Sequence, residues 1–80
     1  MTFQEKYNQS NTWHEKALVM GLFHLTMCHR QKEWTITHTA KEFGCSIGLV
    51  SENLRLAKYI SQLISCQTRQ EALNKLQTIG

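Results

Sequence analysis

Eighty residues with 41% hydrophobic content are enough for one compact domain and no more. Nine Lys and Arg against six Asp and Glu give a formal charge of +3, which suits a polyanionic partner without demanding one. Three scattered cysteines, Cys28, Cys45 and Cys66, exclude a disulfide framework, and no apolar run approaches the roughly 18 residues of a membrane span, so a soluble, untargeted, cytoplasmic chain is expected.

Residues 1–11, MTFQEKYNQSN, are polar and aperiodic and are expected to form a flexible N-terminal arm, ahead of a single helical domain over 12–80. Thr12 and Glu15 have the spacing of a capping box, so a first helix is predicted from about Trp13 to about Gln31. Its apolar residues, among them Trp13, Leu18, Met20, Leu22, Phe23 and Leu25, cover more than one stripe and imply neighbours on more than one side. Thr35 and Thr37 offer N-caps for a short second helix that ends near Phe43, and Gly44 stops it because glycine tolerates the left-handed conformation that closes helices. Ser46 then caps a third helix with Val50, Leu54 and Ala57 at helical spacing. Ser65, Cys66 and Gln67 mark a break before Thr68 and Glu71 repeat the capping-box spacing and a fourth helix begins. No stretch alternates with period two, so the expectation is an all-α fold, a small bundle of four to five helices containing a helix-turn-helix.

The helix-turn-helix rests on three offsets. A small residue lets the helices approach, a glycine four positions later turns the chain, and a β-branched residue six positions further anchors the second helix; Ala40, Gly44 and Val50 stand at those places. The recognition helix would span about 46–60, enter the major groove, and turn Ser46, Ile47, Gly48, Ser51, Glu52 and Arg55 outward, with Lys41 and Lys58 placed for backbone phosphates. Arg55 alone carries the fork that reads guanine; the serines bond phosphate or many base edges, and Ile47 can touch a thymine methyl. Arg30 and Lys32 add charge at the end of the first helix, and Glu33, Glu42 and Glu52 dilute it.

The segment TAKEFGCSIGLVSENLRLAK resembles the helix-turn-helix of ParB-like partition proteins and their small phage and plasmid relatives, in which a serine after the turn is followed by Val-Ser and then Leu-Arg-Leu. Val50-Ser51 and Leu54-Arg55-Leu56 match that pattern, and Trp13-His14-Glu15 opens the preceding helix. The resemblance spans about residues 12 to 78 and is specific over 39 to 58. An arginine-rich nucleotide-binding motif and a separate dimerisation domain are missing from the pattern, so the resemblance implies a double-stranded DNA-binding module, a regulator or DNA-organising protein, and not partitioning or nucleotide hydrolysis.

A competing expectation keeps the helix-turn-helix as a scaffold for a protein partner, with Ile47, Leu49, Trp34 and Tyr59 as an exposed apolar patch. A homodimer is also expected, through the wide apolar surface of the first helix or through Leu73, Leu76 and Ile79 of the fourth. His24 and Cys28 share one helical face, but a structural zinc needs two such pairs; Cys28 and Cys45 are therefore read as small packed hydrophobes, with no metal and no cofactor. No phosphate loop, nucleophile elbow or carboxylate pair is present, so no catalytic residue is assigned and no enzyme is expected.

Overall fold

Most helix starts in this chain fall where a side chain takes over backbone groups that a helix end leaves unpaired, and one helix ends at a glycine that does the same. The computed structural model describes residues 2–79 and contains six helices, with no strand among the described residues: α1 Phe3–Gln9, α2 Trp13–Arg30, α3 Ile36–Phe43, α4 Ile47–Lys58, α5 Ile60–Leu63 and α6 Arg69–Ile79. Thr2, Thr12, Ser46 and Thr68 each accept, through the side-chain oxygen, the amide of the residue three positions on. At Thr35 the reciprocal half of a capping box is supplied by histidine, the Thr35 N–H donating to His38 Nδ1 at 3.1 Å. At the other end of α3, Gly44 sits at φ 64° and ψ 38°. Gly44 N–H reaches the Lys41 carbonyl and Cys45 N–H the Ala40 carbonyl, the paired bonds of a Schellman closure.

The architecture is an all-α small bundle, as expected, with six helices among the described residues where the sequence outlined four to five. The first difference lies at the N-terminus, where the expected arm is helix α1. Phe3 and Tyr7 share one face of α1, and their rings pack edge-on against Phe23 (5.4 Å between centroids) and Phe43 (5.2 Å). Gln4 fastens the helix by donating to Glu42 Oε2 at 3.0 Å. The second difference lies at Tyr59, whose φ of −107° and ψ of 23° end α4 at Lys58, just short of the expected end near residue 60, and a separate short helix, α5, follows.

α2 is the central element and packs most extensively on α4. Trp13 and Ala17 in its first half meet Leu56, Leu63, Ala72 and Leu76 from α4, α5 and α6. The Trp13 indole N–H donates to the Cys66 carbonyl at 2.9 Å, which ties the α5–α6 connection to the core. Further along α2, Met20 is buried with Ala40 of α3 and Val50 of α4, so the small residue and the β-branched residue of the corner close on one methionine. The inner face of α4 is Val50, Asn53 and Leu56, whereas Leu54 and Ala57, expected to be core positions, are only half-buried. Asn53 stays inside because its amide donates to Met20 Sδ at 3.4 Å and to the Tyr7 hydroxyl at 3.5 Å. No helix among the described residues is long and apolar enough to cross a membrane.

Two glycines set this geometry. A Cβ on Gly44 would meet nothing within 4 Å, so a substitution there is opposed by backbone conformation alone. Gly44→Val is expected to lose about 1–3 kcal/mol in urea unfolding and Gly44→Asn clearly less; equal losses would put the cost in packing instead. A Cβ on Gly21 would lie 3.0 Å from the Ala57 Cβ, an atom that no rotamer change can move. For Gly21→Ala the gain in helix propensity, about 1 kcal/mol, is set against about 1–3 kcal/mol of overpacking, so a net loss is expected. In an Ala57→Gly background the same substitution should become stabilising, which a double-mutant cycle measures directly.

Candidate nucleic-acid interface

The corner between α3 and α4 has three residues, Gly44, Cys45 and Ser46. Cys45 is half-buried beneath it, and burial pushes its thiol pKa up, so it packs as a neutral group. Ser46 Oγ accepts from the Leu49 amide at 3.1 Å. The amides of Ile47 and Gly48 belong to the first turn, where a helix offers no internal acceptor and its dipole is positive. A Cβ on Gly48 would approach only Ser46 Oγ, at 3.9 Å, so the start of α4 is open to a large group from outside.

With Val50, Asn53 and Leu56 turned inward, Ser51 and Arg55 occupy the opposite face of α4, with Glu52 and Lys58 to either side. Lys41, Ser46, Ile47, Gly48, Ser51, Glu52, Arg55 and Lys58 are all exposed. All but Lys41, which α3 carries, follow one another from the cap of α4 to its last turn. The Glu52 carboxylate, however, does not stand free above the helix: it accepts from Arg69 of α6 at 2.6 Å. Arg69 was not marked by any local pattern, because the pair joins residues 17 apart in sequence. An exposed pair of this kind adds at most about 1 kcal/mol to stability, but it neutralises the one acidic group on the presented face of α4. Among the described residues it is the only ion pair, so Lys41, Arg55 and Lys58 keep their charge unmatched. Arg55 borders a shallow polar groove of about 250 Å³ shared with Gln70 and Gln77 of α6.

The apolar patch expected for a protein partner does not form. Ile47 is exposed, but Leu49 is half-buried, and Tyr59 packs on the cluster of Trp13, Leu56 and Leu63 with the Lys58 ammonium 5.5 Å from its ring centre. Trp34 is held by its N–H, which donates to Thr39 Oγ1 at 2.8 Å, and by ring contacts with Phe23 and His38. The exposed leucines lie on α2 instead, at Leu18, Leu22 and Leu25. Cys28, read as a packed hydrophobe, is exposed because it lies on that same open side of α2. Its sulfur is 3.4 Å from His24 Nε2, and among the described residues no group of three His, Cys, Asp or Glu converges on a possible metal position.

A short polar chain braces α2 against α3 behind this face. The Trp34 N–H can only donate, so Thr39 Oγ1 accepts from it, and the same hydroxyl is hydrogen-bonded with His24 Nδ1 at 2.7 Å. Thr39 is fully buried, and its hydroxyl is satisfied on both sides. The arrangement places the His24 ring between Thr39 on one side and Cys28 on the other.

The chain matches no family model, no curated protein and no solved structure.

Burial lowers the His24 pKa below its ordinary value. The unfolded chain therefore takes up a proton at a higher pH than the folded chain does, and the His24 contribution is complete above about pH 6.5 and is lost as pH falls through the lower folded value. Urea midpoints measured between about pH 7.5 and pH 5 should fall for the wild type and fall less for His24→Gln, which keeps the other histidines. Parallel slopes would show that His24 carries no proton linkage.

Proposed function

We propose that this chain is a double-stranded DNA-binding helix-turn-helix protein, a small regulator or DNA-organising module. In this reading α4 lies in the major groove and α3 crosses the backbone beside it. The observation that carries it is the division of α4 into two faces. Val50 locks one face onto Met20 and Ala40, while the other presents Ser46, Gly48, Ser51 and Arg55 unpacked and without an unpaired carboxylate among them. Ser46 and the open amides at the start of α4 suit a phosphate, Arg55 suits guanine O6 and N7, and Ile47 suits a thymine methyl. Lys41 and Lys58 add sequence-independent attraction. The likeness of residues 39–58 to the ParB-like helix-turn-helix supports the same reading, with the phage- and plasmid-type regulators as its nearest functional class.

The competing reading, a helix-turn-helix scaffold for a protein partner, draws on one observation, the 48% exposure of Ile47 at the tip of α4. Salt separates the two, because phosphate binding weakens steeply as salt rises and an apolar contact does not. Selection from a random DNA pool supplies the site, and fluorescence anisotropy at several salt concentrations supplies the slope. Arg55→Ala is expected to lose about 1–3 kcal/mol of binding and to relax preference at one base pair. Lys75→Ala, on exposed α6 surface, is the control for net charge and should bind nearly as the wild type does. Equal losses in both variants would reduce the attraction to overall charge, and intact binding in the folded Arg55 variant would remove α4 from the reading role.

A further inference from the structure

Leu18, Leu22 and Leu25 project from α2 at 44%, 57% and 56% exposure, the largest run of uncovered apolar side chains on one helix. Beside this ridge lies a groove of about 570 Å³, floored by Gly21 and walled by Leu54 and Ala57 of α4, with Lys58 at its rim. The groove exists because Gly21 has no side chain and α4 comes so near that a Cβ would stand 3.0 Å from Ala57. Ridge and groove therefore lie side by side on one face, which is the condition for a surface to pair with itself about a two-fold axis.

The occupant is specified by what flanks the leucines. Glu15, Leu18, Leu22, Leu25 and His29 follow one another at alternating spacings of three and four, the spacing of a seam between two packed helices. Glu15 is exposed at the start of the seam, where its neighbour Lys16 is turned onto the Tyr7 ring 4.8 Å from the ring centre, and His29 and Arg30 are exposed at the basic end. An antiparallel copy of α2, with the axis at Leu22, sets Glu15 opposite His29 and Arg30 of the second copy at both ends, and each leucine ridge in the other groove. A parallel copy would oppose like charges at each end. We infer that α2 forms an antiparallel homodimer interface with a second copy of this chain, centred on Leu22. The inference concerns the protein alone and stands apart from DNA binding.

Sedimentation equilibrium without DNA tests it, with circular dichroism reporting the fold of every variant. At about 100 μM chain the wild type is expected to be dimeric, and Leu22→Glu, a change on exposed surface, to be folded and monomeric. Glu15→Lys and Arg30→Glu should each weaken the dimer by at least about tenfold, and the two together should restore it, because the swap reverses the Glu15–Arg30 pairing at both ends of the seam. With Cys28, Cys45 and Cys66 replaced by serine, Leu22→Cys should give a disulfide-linked dimer on mild oxidation and Lys75→Cys should not. That variant keeps the inference testable if Leu22→Glu fails to fold. A wild type that stays monomeric, a dimer that survives Leu22→Glu, or a charge swap that fails to restore association overturns it.

Discussion

The approach of α4 to α2 at Gly21 is the constraint on which the other features depend. With Gly21 against Ala57, the helices come near enough for Met20 to reach Val50 and Asn53, and for Ala40 to close on the same methionine from α3. A larger residue at either position would lift α4 away from that contact and rotate the faces it presents. The outward set of Ser51 and Arg55 is thus decided on the far side of the helix, by a contact that none of those residues makes.

The same approach leaves unfinished surface. Because the two helices nearly touch at Gly21, the side chains on either side, Leu18 and Leu22 on α2 and Leu54 on α4, cannot cover one another and border an open groove. The lower core is closed differently: Trp13, Leu56, Leu63, Ala72 and Leu76 meet from four helices, and α6 also reaches up the side of α4 to bring Arg69 to Glu52. α6 therefore sets the charge of the α4 face as well as covering apolar area. α1 has a comparable role at the upper end, where Phe3 and Tyr7 complete an aromatic cluster around Phe23 and Phe43.

Buried polar groups fix the relation of α2 to α3 and α4 more narrowly than apolar contact would. Thr39 accepts from Trp34 and shares a hydrogen bond with His24, and Asn53 donates to Met20 and Tyr7. Each group would be left unpaired inside the protein if the helices slid past one another, so each selects one register.

Local chemistry in the sequence was sufficient for the all-α class, for α2, α3, α4 and α6, and for the corner at Gly44, because a cap needs only a residue three positions away and a left-handed closure needs only glycine. The outward positions of α4 were legible for a related reason: once Val50 points inward, helical periodicity assigns the rest. The N-terminal helix was also written locally, in the spacing of Thr2 to Glu5 and of Phe3 to Tyr7, but seven residues are too few to hold a helix without the aromatic surface of Phe23 and Phe43. Tertiary structure alone decided the rest. Periodicity marked Leu54 and Ala57 as core and could not show that Gly21 would bring α4 too close for them to be covered; it marked Glu52 as a free charge and could not show Arg69 arriving from α6. It offered Trp34 and Tyr59 as surface, although the Trp34 ring and N–H find partners on α2 and α3 and the Tyr59 ring packs against the core. A pattern along one helix reports which residues share a face, whereas the neighbour that covers that face comes from elsewhere in the chain and is known only when the helices are packed together.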